Sequence, residues 1–230
     1  MKKTLHIVCT RFNIPMANVM TNMDEEWLKY RYNLFKRTAL PSVKGQINKE
    51  FHWNIYFSET TNKDFLNKIN KDVKGLNCSI ILLPRNQGVV GHLRSRNYSN
   101  YDYIITSRLD TDDCWRFDYT DFVNKNIKIY KDPFIFNFVI GYLYDIKDKK
   151  YYIFKWPRGS NTMSLIEKVG EKDILTIHYK SHTKILDHIS YKDIITPYFI
   201  TTIHDLNSFE ITRGIKTNKI KSGSFPDIEK

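Results

Sequence analysis

Only three cysteines, Cys9, Cys78 and Cys114, occur in 230 residues; they lie far apart, with no CxxC pair. That excludes a disulfide framework and a cysteine-built zinc site, and it fits a reducing compartment. No apolar run approaches the ~20 residues that a membrane-spanning helix needs. The opening stretch Met1–Thr10 has two lysines but too short an apolar segment for an export signal, so Leu5-His6-Ile7-Val8-Cys9 reads as a strand. There is no internal repeat, no low-complexity linker and no block of consecutive basic residues. Collagen-like, coiled-coil and secreted-miniprotein architectures are therefore excluded.

What is present is enough for a core: 41% of the residues are hydrophobic and 14% aromatic, which also excludes a wholly disordered basic chain. The net charge is +11. Such an excess suits a polyanionic partner, but here it is scattered among many Asn, Ile and Tyr, as AT-biased codon usage would produce.

Strand-like and helix-like runs alternate through the first half. Trp27, Tyr30, Leu34 and Phe35 recur at helical spacing after Asp24, with acidic residues first and basic residues last, and Pro41 reads as the stop. Trp53–Phe57 and Ser79–Leu83 read as strands, with a short helix between them capped by Thr61 or Asn62. Tyr103–Thr106 is a fourth strand, and a helix follows from about Tyr119. This order implies an open α/β sheet with mostly parallel strands. In the second half, Phe134–Tyr144 and Tyr151–Trp156 read as a hairpin around the charged turn 147–150. Ser160–Lys168 reads as a short helix, and Ile174–Tyr179 and Tyr198–His204 as strands. One domain over 1–214 is expected, with 215–230 a polar, basic, mobile tail.

The most informative segment is Thr106-Ser107-Arg108-Leu109-Asp110-Thr111-Asp112-Asp113. Ligands of open α/β sheets bind at the carboxyl ends of strands. Three carboxylates on one turn repel unless a cation or donors compensate them, and Asp-x-Asp offers hard oxygens to Mg²⁺ or Mn²⁺. Such an ion neutralises a diphosphate and assists its departure. The competing reading is a solvated Asp-rich turn that caps the next helix.

The same segment resembles the TRLDxDD core of a bacterial family described as rhamnosyltransferases, glycosyltransferases of the GT-A type. Arg11-Phe12-Asn13 is similar to the family's opening, and Trp27, Arg31, Leu34-Phe35, Ser42, Gln46 and Phe51-His52-Trp53 to its first helix and second strand. Ser164-Leu165-Ile166-Glu167 is similar to its SLIE segment and Ile203–Asn207 to a terminal HGxN element, with Asp205 in place of the glycine. The likeness runs from about residue 5 to 214.

The resemblance implies a GT-A-like α/β domain, its central mostly parallel sheet flanked by helices, with a β-hairpin addition in the second half. It implies transfer of a sugar, with rhamnose the first to try, from a UDP- or dTDP-linked donor to a saccharide or lipid-linked glycan acceptor. The setting would be cytoplasmic, with peripheral membrane contact at most and no nucleic acid. Asp110, Asp112, Asp113 and His204 become the metal candidates for Mn²⁺ or Mg²⁺. Thr10, Arg11, Phe12, Asn13, Arg85, Arg94, Arg108 and Asp110 become the nucleotide-sugar candidates, with Phe12 stacking on the base and Asn13 reading its edge; Arg96 is a further diphosphate candidate. Inverting transfer needs a carboxylate base, for which Glu167 comes first, then Asp205 and Asp145; retaining transfer needs none. A nucleotidyl- or phosphotransferase and a basic nucleic-acid-binding protein remain as alternatives. Against them, the loop 86–91 lacks Walker spacing and no nucleic-acid module is legible.

Overall fold

The computed structural model describes residues 3–14, 24–127, 133–170, 173–205, 213–217, 220 and 223–229. Four parallel strands build the first half: β1 (Thr4–Arg11), β2 (His52–Ser58), β3 (Cys78–Leu83) and β4 (Tyr103–Arg108), in the spatial order β4-β1-β2-β3. Helices connect them. Helix α1 (Glu25–Arg37) starts at Asp24, whose carboxylate accepts from the Trp27 amide at 2.9 Å. Its first turn carries Glu25 and Glu26 and its last Lys36 and Arg37, complementing the helix dipole at both ends. Asn62 caps α3 (Lys63–Asp72) by accepting from the Asp64 and Phe65 amides.

Pro41 does not end a helix. The chain breaks at Thr38 and resumes as α2 (Ala39–Lys44), with Pro41 in its first turn, where a missing N–H is tolerated. The Thr38 hydroxyl donates to the Leu34 carbonyl at 2.7 Å and contacts the Thr111 carbonyl at 3.0 Å, so this elbow is tied to the Asp-rich turn. Helix α4 (Val89–Arg94), between β3 and β4, was not legible in the sequence.

After β4 the chain makes the short strand β5 (Asp113–Trp115) and helix α5 (Tyr119–Lys125). The expected long strand 134–144 divides at Val139 into β6 (Phe134–Phe138) and β7 (Ile140–Asp145), which enter different sheets. The hairpin between β7 and β8 (Lys150–Lys155) forms as expected, with Asp145 Oδ1 accepting from the Lys147 and Asp148 amides in the turn.

Two expectations fail instructively. Residues 163–168 form strand β9 (Met163–Lys168), not a helix, and lie antiparallel between β4 and β6. A central strand covered on both faces loses the polar–apolar alternation that marks a strand in sequence. Residues 174–179 form a loop, not a strand. Their amides find side-chain acceptors: Leu175 and Thr176 donate to Glu167, and Ile177 to the Thr106 hydroxyl. Helix α6 (His182–Ile185) and strands β10 (Ser190–Ile194) and β11 (Phe199–Ile203) complete the second half.

Among the described residues the strands form a seven-stranded sheet, β10-β6-β9-β4-β1-β2-β3, and a five-stranded sheet ending in β12 (Ile215–Thr217), ordered β12-β8-β7-β11-β5. One apolar cluster runs through both sheets, from Val8, Phe35 and Trp53 to Trp115, Phe138 and Phe199. The opposite face of the large sheet is covered by α4 and the 173–189 segment. The described part of 215–230 makes contacts with the second sheet and with α1. Strand β12 pairs with β8, Phe225 and Ile228 are buried on the second sheet, and Arg37 donates to the Ile228 carbonyl at 2.6 Å. No helix among the described residues is long and apolar enough to cross a membrane.

Candidate functional site

Side chains alternate along a strand, and this decides which residues share the site. In β1, Val8 faces the large core while Ile7 and Cys9 face α4; Arg11 shares their side. In β4, Ile105 faces the large core and Ile104 the other cluster, which puts Thr106 and Arg108 on the side of Arg11. Cys9 and Arg108 are register partners, so both arginines arrive at the carboxyl ends of neighbouring parallel strands. The turn that follows is fixed by its backbone: Leu109 donates to the Cys9 carbonyl at 3.1 Å, and the Thr202 hydroxyl to the Asp112 carbonyl at 2.7 Å.

The three aspartates then part company. Asp110 stays with the Arg11 and Arg108 side. Arg108 grips it through two bonds, Nε to Oδ1 at 3.1 Å and Nη2 to Oδ2 at 2.7 Å. Burial works to raise the Asp110 carboxyl, but the Arg108 and Arg11 guanidiniums overcome it and hold the group below the ordinary carboxylate range. Arg11 is itself pushed down to about 10, by burial and then by the charge of Arg108.

Asp112 turns to the other side. Arg31 of α1 clasps it with Nη1 on Oδ2 at 2.6 Å and Nη2 on Oδ1 at 2.9 Å, and Arg31 also bonds the Thr111 hydroxyl. His204, just past β11, brings Nε2 within 3.0 Å of Asp112 Oδ2 and packs its ring 5.4 Å from that of Tyr30. Burial raises the Asp112 carboxyl, and Arg31 and His204 more than reverse this, leaving it well below its usual range. Asp113 belongs to strand β5 and takes a bond from the Asn161 amide.

The remaining expected residues are placed as follows. The Thr10 hydroxyl accepts from the buried Trp53 indole at 2.9 Å. The Phe12 ring, 3% exposed, stacks on Phe57 at 4.8 Å between Phe35 and Phe65, so core packing occupies the face that was expected to take a base. The Asn13 amide is spent on Thr61 and the Ser58 backbone, which fixes the β2–α3 loop rather than presenting an edge to a ligand. Arg94 Nε donates to the Ile174 carbonyl at 2.8 Å, so it anchors the 174–179 loop; Arg85 and Arg96 are exposed. Glu167 is buried in β9 with its two oxygens accepting from the Leu175 and Thr176 amides at 2.6 and 2.9 Å. A carboxylate so engaged is a clamp, and the base role does not fit it. Asp145 is likewise spent in its turn. Asp205 is exposed beside Tyr30, and Leu206 and Asn207 lie outside the described residues.

Three residues of the site were not singled out for it. Arg31 was noted only as part of the first-helix likeness; its signal is a basic residue four after Trp27 on the buried side of α1, over whose ring it sits at 5.6 Å. His178 and His182 stand four apart in the sequence, without a spacing that marks a metal site. In the fold, the 174–182 loop brings both within electrostatic reach of Arg108.

Among the described residues no three His, Cys, Asp or Glu side chains are grouped to hold a metal. Two donors are. Asp112 Oδ2 and His204 Nε2, 3.0 Å apart, have the separation of adjacent ligands on an ion with bonds of ~2.1 Å. Mg²⁺ is commonly held by one or two protein ligands and completed by substrate phosphates and water. An ion here would take over Asp112 Oδ2 and His204 Nε2 from the hydrogen bond that joins them and from Arg31. Asp110 and Asp113 point to other partners.

The model of the family described as "Putative rhamnosyl transferase" matches residues 13–214. No curated protein sequence matches the chain. Solved structures match the chain at low similarity. HddC from Yersinia pseudotuberculosis complexed with GMP-PN is 12% identical, over 86% of this chain and 93% of that one, with a TM-score of 0.43. TarS of S. aureus is 12% identical, over 87% of this chain and 37% of that one, with a TM-score of 0.45. The inositol-1-phosphate CTP transferase from T. maritima is 10% identical, over 88% and 91%, with a TM-score of 0.39.

Proposed function

The chain belongs to the rhamnosyl transferase family that matches its residues 13–214 and is a glycosyltransferase, and from that premise we propose a nucleotide-diphosphate sugar as donor and a divalent cation as cofactor. The observation that carries this reading is the division of the Asp-rich turn. Asp110 stands with Arg11 and Arg108 at the ends of β1 and β4, while Asp112 stands with His204 and Arg31 one residue pair further on. In such an enzyme arginines for a diphosphate and a carboxylate–imidazole pair for a cation would stand side by side, since a bound cation would help to neutralise the diphosphate. When bound, Mg²⁺ or Mn²⁺ supplies Lewis-acid help to the departing diphosphate.

In this GT-A-type reading the transferred sugar is rhamnose and the acceptor a saccharide or lipid-linked glycan, met in the cytoplasm or at the membrane surface. Of the carboxylates considered as base, Asp205 is the exposed one, at the end of β11 next to His204. It is the group an acceptor hydroxyl reaches if transfer inverts configuration.

A thermal-shift screen of UDP- and dTDP-linked sugars tests the reading, each with Mn²⁺, with Mg²⁺ and with EDTA. A donor at a hundred times its Kd stabilises by about 2.7 kcal/mol, which for a chain this size moves Tm by roughly 5–11 °C. That shift is expected only when cation and donor are both present. A screen with no cation-linked shift for any nucleotide sugar would overturn the proposal.

A further inference from the structure

A satisfied buried histidine has a recognisable pattern in this protein. His6, 1% exposed, has both ring nitrogens bonded, Nδ1 to Asn124 and Nε2 to Ser107, each at 2.8 Å. His178 does not follow it. Its Nε2 is shut away from solvent and has no hydrogen-bond partner, a condition that costs free energy unless something else fills the place. The preceding residue is pinned to β4 by the Ile177 amide on Thr106, which brings His178 within electrostatic reach of Arg11, Arg108 and Asp110.

The chain goes to some length to hold this placement. Glu167 takes two consecutive amides of the loop, Arg94 takes the Ile174 carbonyl, and Thr176 adopts φ +71°. A β-branched residue in the left-handed region is strained, and such strain persists where neighbours over-determine it. Four residues on, His182 Nδ1 receives a long contact of 3.5 Å from Arg108 Nη1. A guanidinium only donates, so Nδ1 accepts, and in the neutral ring the proton then sits on Nε2. Burial and the charge of Arg108 push His182 down to about 4, which keeps that ring neutral at physiological pH.

We infer that Arg11, Arg108, His178 and His182 form one anion pocket, and that it takes the diphosphate of the donor, with His178 Nε2 donating to a phosphate oxygen. This deepens the proposed function and rests on it. With Asp110 counted and both imidazoles neutral, the pocket carries one net positive charge, which offsets part of the roughly two negative charges of a sugar-linked diphosphate and leaves the rest to the proposed cation. Neutral imidazole N–H groups then supply bonds without adding repulsion to two guanidiniums already close together.

Isothermal titration calorimetry in saturating Mg²⁺ tests the pocket on the full chain, with UDP, pyrophosphate, inorganic phosphate and uridine as probes. His178→Phe keeps the ring packing and removes both nitrogens. It is expected to weaken UDP and pyrophosphate by about tenfold and to leave uridine unchanged, the cost of one hydrogen bond to a charged group. His182→Phe is expected to act in the same direction, and exposed His188→Ala to change nothing. Equal affinities in wild type and His178→Phe overturn the pocket while leaving the donor class intact. A loss confined to uridine also overturns it, by moving His178 to the base. Inorganic phosphate bound as tightly as UDP, with the same loss in the variant, shows an anion pocket not built for a nucleotide and overturns the diphosphate assignment. A wild-type chain that binds neither UDP nor pyrophosphate overturns the proposed function along with it.

Discussion

Arg31→Met separates a site built by ion pairing from one that merely has an arginine nearby. In the wild type the guanidinium reaches both oxygens of Asp112, with the two side chains only 13% and 10% exposed. Methionine fills most of the same volume without charge, leaving Asp112 buried with His204 as its remaining partner from this group. Removing one member of a buried pair costs roughly 3–5 kcal/mol, because the other keeps its desolvation penalty and loses its compensation. For a domain of this length, at 2–4 °C per kcal/mol, that is a fall in Tm of roughly 6–20 °C. The pH dependence carries a second signature. In the wild type Arg31 and His204 hold the Asp112 carboxyl down, so its stabilising share is present above the unfolded carboxylate pKa of about 3.9 and is lost on acidification through the folded value. In Arg31→Met the burial contribution is no longer opposed by Arg31 and the carboxyl rises, so the gap between variant and wild type should narrow from pH 7 to pH 4. The double variant Arg31→Met/Asp112→Leu, which removes both charges, should recover most of the loss. Urea unfolding of the four proteins in this cycle at pH 7 and pH 4 gives all of these quantities. A loss below about 1 kcal/mol for Arg31→Met, or a double variant that loses the sum of the two singles, would refute the assignment of this pair as what docks α1 on the Asp-rich turn.

Two further outcomes follow from buried groups. Glu167→Gln leaves one loop amide facing an NH₂ group in place of an oxygen, so stability should fall by about 1–3 kcal/mol and hydrogen exchange at Leu175 and Thr176 should quicken; a variant that loses turnover with unchanged stability and exchange would restore Glu167 as the base. Burial pushes His6 down to about 4 against the opposing bond from Asn124. Its share of stability is complete above the unfolded value near 6.5 and declines on acidification towards pH 4 by about 1.4 kcal/mol per unit, roughly 3 kcal/mol in all. Chemical denaturation of His6→Gln should show a pH slope shallower by that amount, and an unchanged slope would remove His6 as the acid-sensitive group.

The parts of the fold that could be read from sequence are those whose signals are local. The Asp24 and Asn62 caps, the helical stripe of α1 and the four parallel strands are each written within a few neighbouring residues. What failed was set by distant partners. Strand β9 read as a helix because its neighbours β4 and β6 cover both of its faces, and 174–179 read as a strand because the acceptors for its amides are the side chains of Glu167 and Thr106. The site divides the same way. The Asp-rich turn is marked by its own residues, but the partner of Asp112 lies 81 residues earlier in α1. Phe12 and Asn13 were misassigned for the opposite reason: their position after a strand is shared by ligand-facing and core-facing residues, and only the contacts with Phe57 and Thr61 distinguish the two.

Those distant partners also change what the aspartates are for. A bare Asp-x-Asp turn attracts a cation to relieve its own repulsion, and would hold one with or without substrate. Here Arg11, Arg31 and Arg108 stand against Asp110, Asp112 and Asp113, three charges against three, and the turn is already balanced. A divalent cation entering alone would unbalance it by two positive charges, and a sugar-linked diphosphate entering alone by about two negative ones. Together they restore neutrality. If the cation and donor proposed above are the ligands, they would be expected to bind as a unit: each would raise the affinity for the other, because the arginines satisfy the carboxylates first and leave the metal's affinity to depend on the diphosphate.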